Sequence, residues 1–178
     1  MPLEGSKTEE NLKRSFSIQS RSITRYLLFG EKAKSDGLEF ISRVFDQFAY
    51  EEVAHARTIY GNFLGQIKST EENLKYSADS ELVKTQKIYL DYENTARDEG
   101  FLDVAEYYRA IRVVTEDHYR QFNGLYEGLS TGTLYNRPIV RIWECINCGY
   151  LHEGKEAPLI CPLCKFPQGW YRLKCDLY

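Results

Sequence analysis

At 178 residues, 43% of them hydrophobic and 28% charged, the chain has the composition of a soluble globular protein, with room for one ordinary domain and a small appendage. A formal charge of −3 and the lack of any basic stripe give no reason to expect nucleic acid. The polar start MPLEGSKTEENLKRS lacks the apolar core of a secretory leader, and no apolar run approaches a membrane span, so the expectation is a cytoplasmic protein with no membrane partner.

In chain order, residues 8 to 128 contain no proline, and their apolar spacing predicts four helices near 8–35, 38–67, 80–98 and 101–128. Gly37 in KSDG and Gly100 in RDEG mark two helix ends, because glycine enters the left-handed conformation of a C-terminal cap without a steric penalty. The short turns at these glycines predict two antiparallel hairpins. The connection between the hairpins, near 68–79, reads as longer, with one candidate helical turn at STEENLK. About ten extended residues reach roughly 33 Å, the length of a 20-residue helix. One long crossover between two hairpins is the ferritin-like four-helix bundle, so the predicted class is mainly α.

The stripes carry the first chemical signal. The second helix presents Leu38, Ile41, Phe45, Phe48, Glu52, His55 and Ile59 at alternating steps of three and four, and the fourth presents Phe101, Val104, Tyr108, Ile111, Thr115, His118, Phe122 and Leu125. The first carries Leu12, Phe16, Gln19, Ile23 and Tyr26, and the third places Lys84 and Lys87 one turn apart beside Ile88. Polar residues thus interrupt each seam near its middle and predict a polar layer. Its plainest reading is a buried network of salt bridges and hydrogen bonds. Two others compete: a single ion on Glu52, His55 and His118, and a metal-free catalytic lysine with a lowered pKa. Glu116 and Asp117 lie off the seam, on a solvated face.

Residues 129–139, LSTGTLYNRPI, are rich in turn formers, giving a bundle over 1–130, a linker over 131–139 and a small domain over 140–178. All five cysteines lie beyond residue 144. Cys145-x-x-Cys148 and Cys161-x-x-Cys164 supply four thiolates on two knuckles, a set suited to one tetrahedral ion. Spacing leaves iron and zinc both open, and a zinc ribbon that merely folds the tail is the structural alternative. Cys175 is the odd one, expected to pack as an ordinary thiol.

The stretch WECINCGYLHEGKEAPLICPLCKF resembles a rubredoxin-type domain: an aromatic residue before the first knuckle, Gly149-Tyr150 after it, HEG between the knuckles and Cys-Pro in the second. Lys165 departs from the glycine usual in that family after the second knuckle. Together with EGSKTEENL, FGEKAKSDGLEFIS, ENLK and TARDEGF, the whole chain resembles a rubrerythrin. The resemblance implies a non-haem iron oxidoreductase of oxidative-stress defence that reduces hydrogen peroxide at a di-iron centre in the bundle. It also implies one iron on Cys145, Cys148, Cys161 and Cys164 as electron relay, a homodimer, and a redox protein as electron donor. Trp143, Tyr150, Phe166 and Trp170 are the candidate apolar shell of that iron.

The bundle departs from the family. A di-iron site of this kind takes a Glu from each of two helices and a Glu-x-x-His from each of the other two. Glu52-x-x-His55 conforms. Gln19, Thr115 (three before His118), Lys84 and Lys87 stand where the resemblance implies glutamates, a change of roughly six positive charges in the pocket. Glu81 and Glu93 approach only if the third helix is displaced in register. The expectation is a lost di-iron centre, a lysine paired with Glu52, and electron transfer through the Fe(Cys)4 site. The alternatives are an active peroxidase with a bundle metal and a non-redox zinc scaffold or interaction protein.

Overall fold

The computed structural model describes residues 2–174; Cys175 lies outside the described residues. The chain divides into two compact units that meet in sequence between Lys68 and Ser69.

The first unit is a helical hairpin of α1 (Lys7–Ser35) and α2 (Glu39–Arg57), which runs on into a widened π-turn, Thr58–Phe63. The Ser6 hydroxyl caps α1 by accepting from the Glu9 N–H at 3.1 Å. Gly37, at φ 77°, closes it as expected, and the Leu38 N–H donates back to the Ala33 carbonyl. The line between the helices is made of small residues: Gly30, Ala33, Ser42, Ala49 and Ala56 are its buried members. A Cβ on Gly30 would lie 3.2 Å from Asp46 Oδ1, so the helices approach closely there. Leu38, Ile41 and Phe48 of the predicted seam remain exposed. Two helices in contact bury only the residues on their shared line, and the wider apolar stripe flanks it.

The second unit begins with α3 (Thr70–Val83), a π-turn at Lys84–Ile88 and α4 (Tyr89–Asp98), consecutive pieces of one helical stretch, followed by α5 (Leu102–Ser130). The third helix thus starts ten residues before the expected 80, and the long crossover expected over 68–79 is replaced by residues 64–69. The reason is a capping box: Ser69 Oγ accepts from the Glu72 N–H while the Glu72 carboxylate accepts from the Ser69 N–H. The π-turn is locked to α5. Thr85 Oγ1 donates to the Arg112 carbonyl, Arg112 Nε donates to the Thr85 carbonyl, both at 3.0 Å, and Arg112 Nη1 donates to Glu93 at 2.7 Å. Arg112, joined by Arg97, holds the Glu93 carboxyl below the usual carboxylate range.

After α5 come β1 (Asn136–Cys145), β2 (Leu151–Glu156) and β3 (Tyr171–Leu173), an antiparallel sheet in the order β2-β1-β3. Asn136 pairs with Glu156, so the sheet reaches into the stretch expected as linker, with an irregularity between Asn136 and Arg141. Its core is Trp143, Cys145, Ala157, Cys161 and Tyr171. No helix among the described residues is long and apolar enough to cross a membrane.

Candidate metal centre

The end of β1 and the start of β3 bracket the four cysteines. The knuckles are near copies of one another. The Gly149 N–H donates to the Cys145 carbonyl and the Cys145 N–H to the Tyr150 carbonyl; in the second, Lys165 donates to Cys161 and Cys161 to Phe166. Each turn needs a left-handed residue, supplied by Gly149 at φ 75° and by Lys165 at φ 63°. The departure seen in the sequence therefore keeps the backbone shape but places a side chain in a strained region.

The sulfurs converge. Cys145 Sγ lies 3.7 Å from Cys164 Sγ, Cys148 Sγ lies 3.7 Å from Cys161 Sγ, and all four fall within 4.8 Å of one another. A tetrahedron with metal–sulfur bonds of about 2.3 Å has edges of about 3.8 Å. The donor set therefore fits one ion, and no disulfide joins these cysteines. Burial opposes ionisation of Cys161, but the Cys164 N–H, the Tyr171 hydroxyl and the Leu163 N–H outweigh it and bring the thiol down to about 6. Burial likewise opposes Cys164, whose thiol is lowered by the Asn147 side chain and the Phe166 N–H. The Tyr150 N–H favours the Cys148 thiolate, yet burial and the three neighbouring sulfurs push it up to about 12. Four sulfurs this close cannot all ionise without a cation to balance their charge.

Of the expected apolar shell, Trp143 is fully buried, with Nε1 donating to the Gly154 carbonyl at 3.1 Å, and Tyr150 packs against the core. Phe166 and Trp170 meet edge to face with centroids 4.6 Å apart. The sequence reading missed two polar neighbours, Asn147 and Tyr171. Asn147 was visible as the residue beside Cys148 inside the first knuckle; Tyr171 carried no local signal, since only the fold brings β3 against Cys161.

The helical residues are distributed over both units. In the first, Glu52 is half-buried, His55 is exposed, and His55 Nδ1 lies 3.0 Å from Glu52 Oε2; Gln19 is half-buried on α1. His55 is therefore not part of a buried stripe. In the second, Lys84 Nζ donates to Glu81 Oε1 at 2.6 Å, His118 Nδ1 lies 3.9 Å from Glu81 Oε2, and Thr115 is buried with its hydroxyl donating to the Ile111 carbonyl. Of the two lysines expected to face inward, Lys84 is half-buried but Lys87 is exposed, and Glu81 lies inward one turn before Lys84. Lys84 pairs with Glu81, where the sequence reading had a lysine paired with Glu52. Glu93, the other acid expected only on a register shift, is buried against Arg112. Glu116 is exposed and paired with Arg120, and Asp117 is exposed too.

The rubrerythrin family model matches residues 10–126, and the model of the rubrerythrin rubredoxin-like domain matches residues 143–171. Rubrerythrin-1 of Clostridium acetobutylicum is 32% identical over 193 aligned positions, covering 99% of this chain and 98% of its own. The rubrerythrin of Nitratidesulfovibrio vulgaris is 34% identical over 184, covering 96% of each. A partially reduced nigerythrin structure is 22% identical, covers 97% of this chain and 91% of its own, and aligns with a TM-score of 0.37. With a helical region and a four-cysteine module both matched, and full-length relatives above 30% identity, the chain belongs to the rubrerythrin family.

Proposed function

We propose that the chain is an electron-transfer protein that carries iron on Cys145, Cys148, Cys161 and Cys164 and has lost the di-iron centre of its helices. Iron in that tetrathiolate supplies one-electron exchange without breaking a bond. The residues around it hold the sulfurs in place through the paired knuckle hydrogen bonds and keep water from Cys145 and Cys161, both fully buried.

The observation that carries the loss of the second centre is the Glu81–Lys84 ion pair with Thr115 buried nearby in the same unit. An ammonium group already neutralises the acid that a metal would need. At an effective dielectric of 20, each like unit charge brought to 4 Å of that ammonium costs about 4 kcal/mol. With Glu81 retained, the loss of negative charge is smaller than the sequence reading counted, but Gln19, Lys84 and Thr115 still remove carboxylates from the pattern. A homodimer and a separate redox protein as donor complete the reading; large exposed side chains such as Phe40, Ile41, Phe48 and Val113 support a second copy as the cover.

A second reading, an active peroxidase with metal among the helices, is favoured by one observation: each unit keeps a carboxylate–imidazole pair, Glu52 with His55 and Glu81 with His118. Metal analysis with a visible spectrum separates the two. About one iron per chain with ferric-thiolate colour is expected. Roughly three irons per chain would restore the peroxidase, and a colourless zinc protein would leave only a scaffold.

A further inference from the structure

We propose that the Tyr171 hydroxyl donates a hydrogen bond to the Cys161 sulfur in the metal-loaded site and raises the site's reduction potential. The inference rests on the reading of the module as an iron electron carrier. Three observations lead to it. Tyr171 is 5% exposed and belongs to the same small core as Cys145 and Cys161. Its hydroxyl oxygen is shut off from solvent and lacks a protein hydrogen-bond partner of ordinary geometry. The group it addresses is the Cys161 sulfur, which is fully buried in that same core and is one of the four sulfurs that converge within 4.8 Å.

A phenylalanine would fill the same space without burying a hydroxyl, so a purely packing role leaves the desolvation of that oxygen unexplained. A metal-bound thiolate supplies the missing acceptor. It carries negative charge, and a hydrogen bond to an ionised partner is stronger than a neutral one. The position within the fold makes the donor available: β3 pairs with β1 at Tyr171↔Cys145, which sets the ring beside both fully buried cysteines. Backbone N–H groups already reach Cys161 from Cys164 and Leu163, so the phenol adds a side-chain donor that mutation can remove.

The sign follows from charge. Reduction adds one electron, delivered by an outside donor, and breaks no bond; the added negative charge falls in part on the sulfurs. A donor aimed at a sulfur therefore favours the reduced state more than the oxidised one, and the potential rises. Tyr171 is thus a positioning residue for charge, acting through Cys161.

The test is Tyr171→Phe in the full chain, loaded with iron and followed by spectroelectrochemistry. At a fixed applied potential the ferric-to-ferrous ratio should rise about tenfold, equivalent to a midpoint lowered by about 59 mV for a one-electron couple. A change below about twofold, or one toward the ferrous form, would overturn the proposal. Should the variant not fold or load, the unaltered chain substituted with cadmium-113 gives a second measurement. The Tyr171 hydroxyl proton should show a scalar coupling to the metal through the Cys161 sulfur, and its absence in a well-resolved spectrum would equally overturn the hydrogen bond. The cadmium result also separates the two ideas, because it holds or fails whether the native ion is iron or zinc.

Discussion

Glu81 and Lys84 show how far a residue-level reading travels and where it stops. Counting back from ARDEG along an unbroken helix places Lys84 and Lys87 inward. The π-turn at Lys84–Ile88 inserts extra backbone, and each added residue rotates what precedes it by about 100°. Glu81 therefore faces α5 with Lys84, while Lys87 points out. The polar interruptions of the seams were legible in the sequence; which lysine pairs with an acid was not. From the corrected register, Lys84→Glu and Thr115→Glu together, both in the second unit, should add iron beyond that held by the cysteines, measured by metal analysis. A folded double variant with the same metal content as the parent would overturn the reading that these two side chains stand in for metal-binding carboxylates. Glu93 offers a pH test. Its carboxyl is depressed in the fold by Arg112 and Arg97 from an ordinary 4.5, so its contribution is complete above that value and disappears as pH falls through the lowered one. Glu93→Gln should therefore lower the urea midpoint at pH 7, and the gap to the parent should narrow as the pH falls below 4.5 and through the lowered value.

At the scale of elements, the helix ends carried the clearest information. Gly37 and Gly100 both sit at positive φ, and the Phe101 N–H returns to the Ala96 carbonyl as Leu38 does to Ala33. The start of α3 lies earlier than apolar periodicity predicts although its signal stands in the sequence: Ser69-x-x-Glu72 is the cap of a continuing helix, not an isolated turn inside a connection. Residues 76–80, YSADS, carry little apolar pattern, so periodicity alone could not extend that turn toward Lys84. Ser69→Ala removes one half of the box and leaves orphan N–H groups at the helix start. It should cost about 0.5–2 kcal/mol in chemical denaturation followed by circular dichroism. An unchanged midpoint would mean that packing of α3 on α5, rather than the cap, decides where the helix begins.

For the molecule as a whole, the two regions differ in how much their sequences specify. The cysteine module was legible down to the four residues that converge, because two C-x-x-C knuckles leave few ways to bring four sulfurs within 4.8 Å. Its inner donor, Tyr171, was not, since strand pairing rather than spacing puts it there. The helical stripes announced an interior without saying what fills it. Small residues make the contact line within the first hairpin, and Phe40, at 80% exposure, and Val113, at 68%, remain open in the chain. Apolar area of that kind favours association, and the purified protein should sediment as a dimer in the micromolar range. A monomer at all accessible concentrations would remove the second copy from the account.

Lys165 has a kinetic consequence. Its φ of 63° costs a residue with a Cβ about 1–2 kcal/mol, a strain absent at Gly149, and the Lys165 ammonium holds the Pro162 carbonyl at 2.9 Å. The two loops that grip the ion are therefore unequal springs, and the one built on Cys161 and Cys164 gains more by letting go. Exchange of a bound ion with a competing chelator should begin on that side, and Lys165→Gly should slow it severalfold.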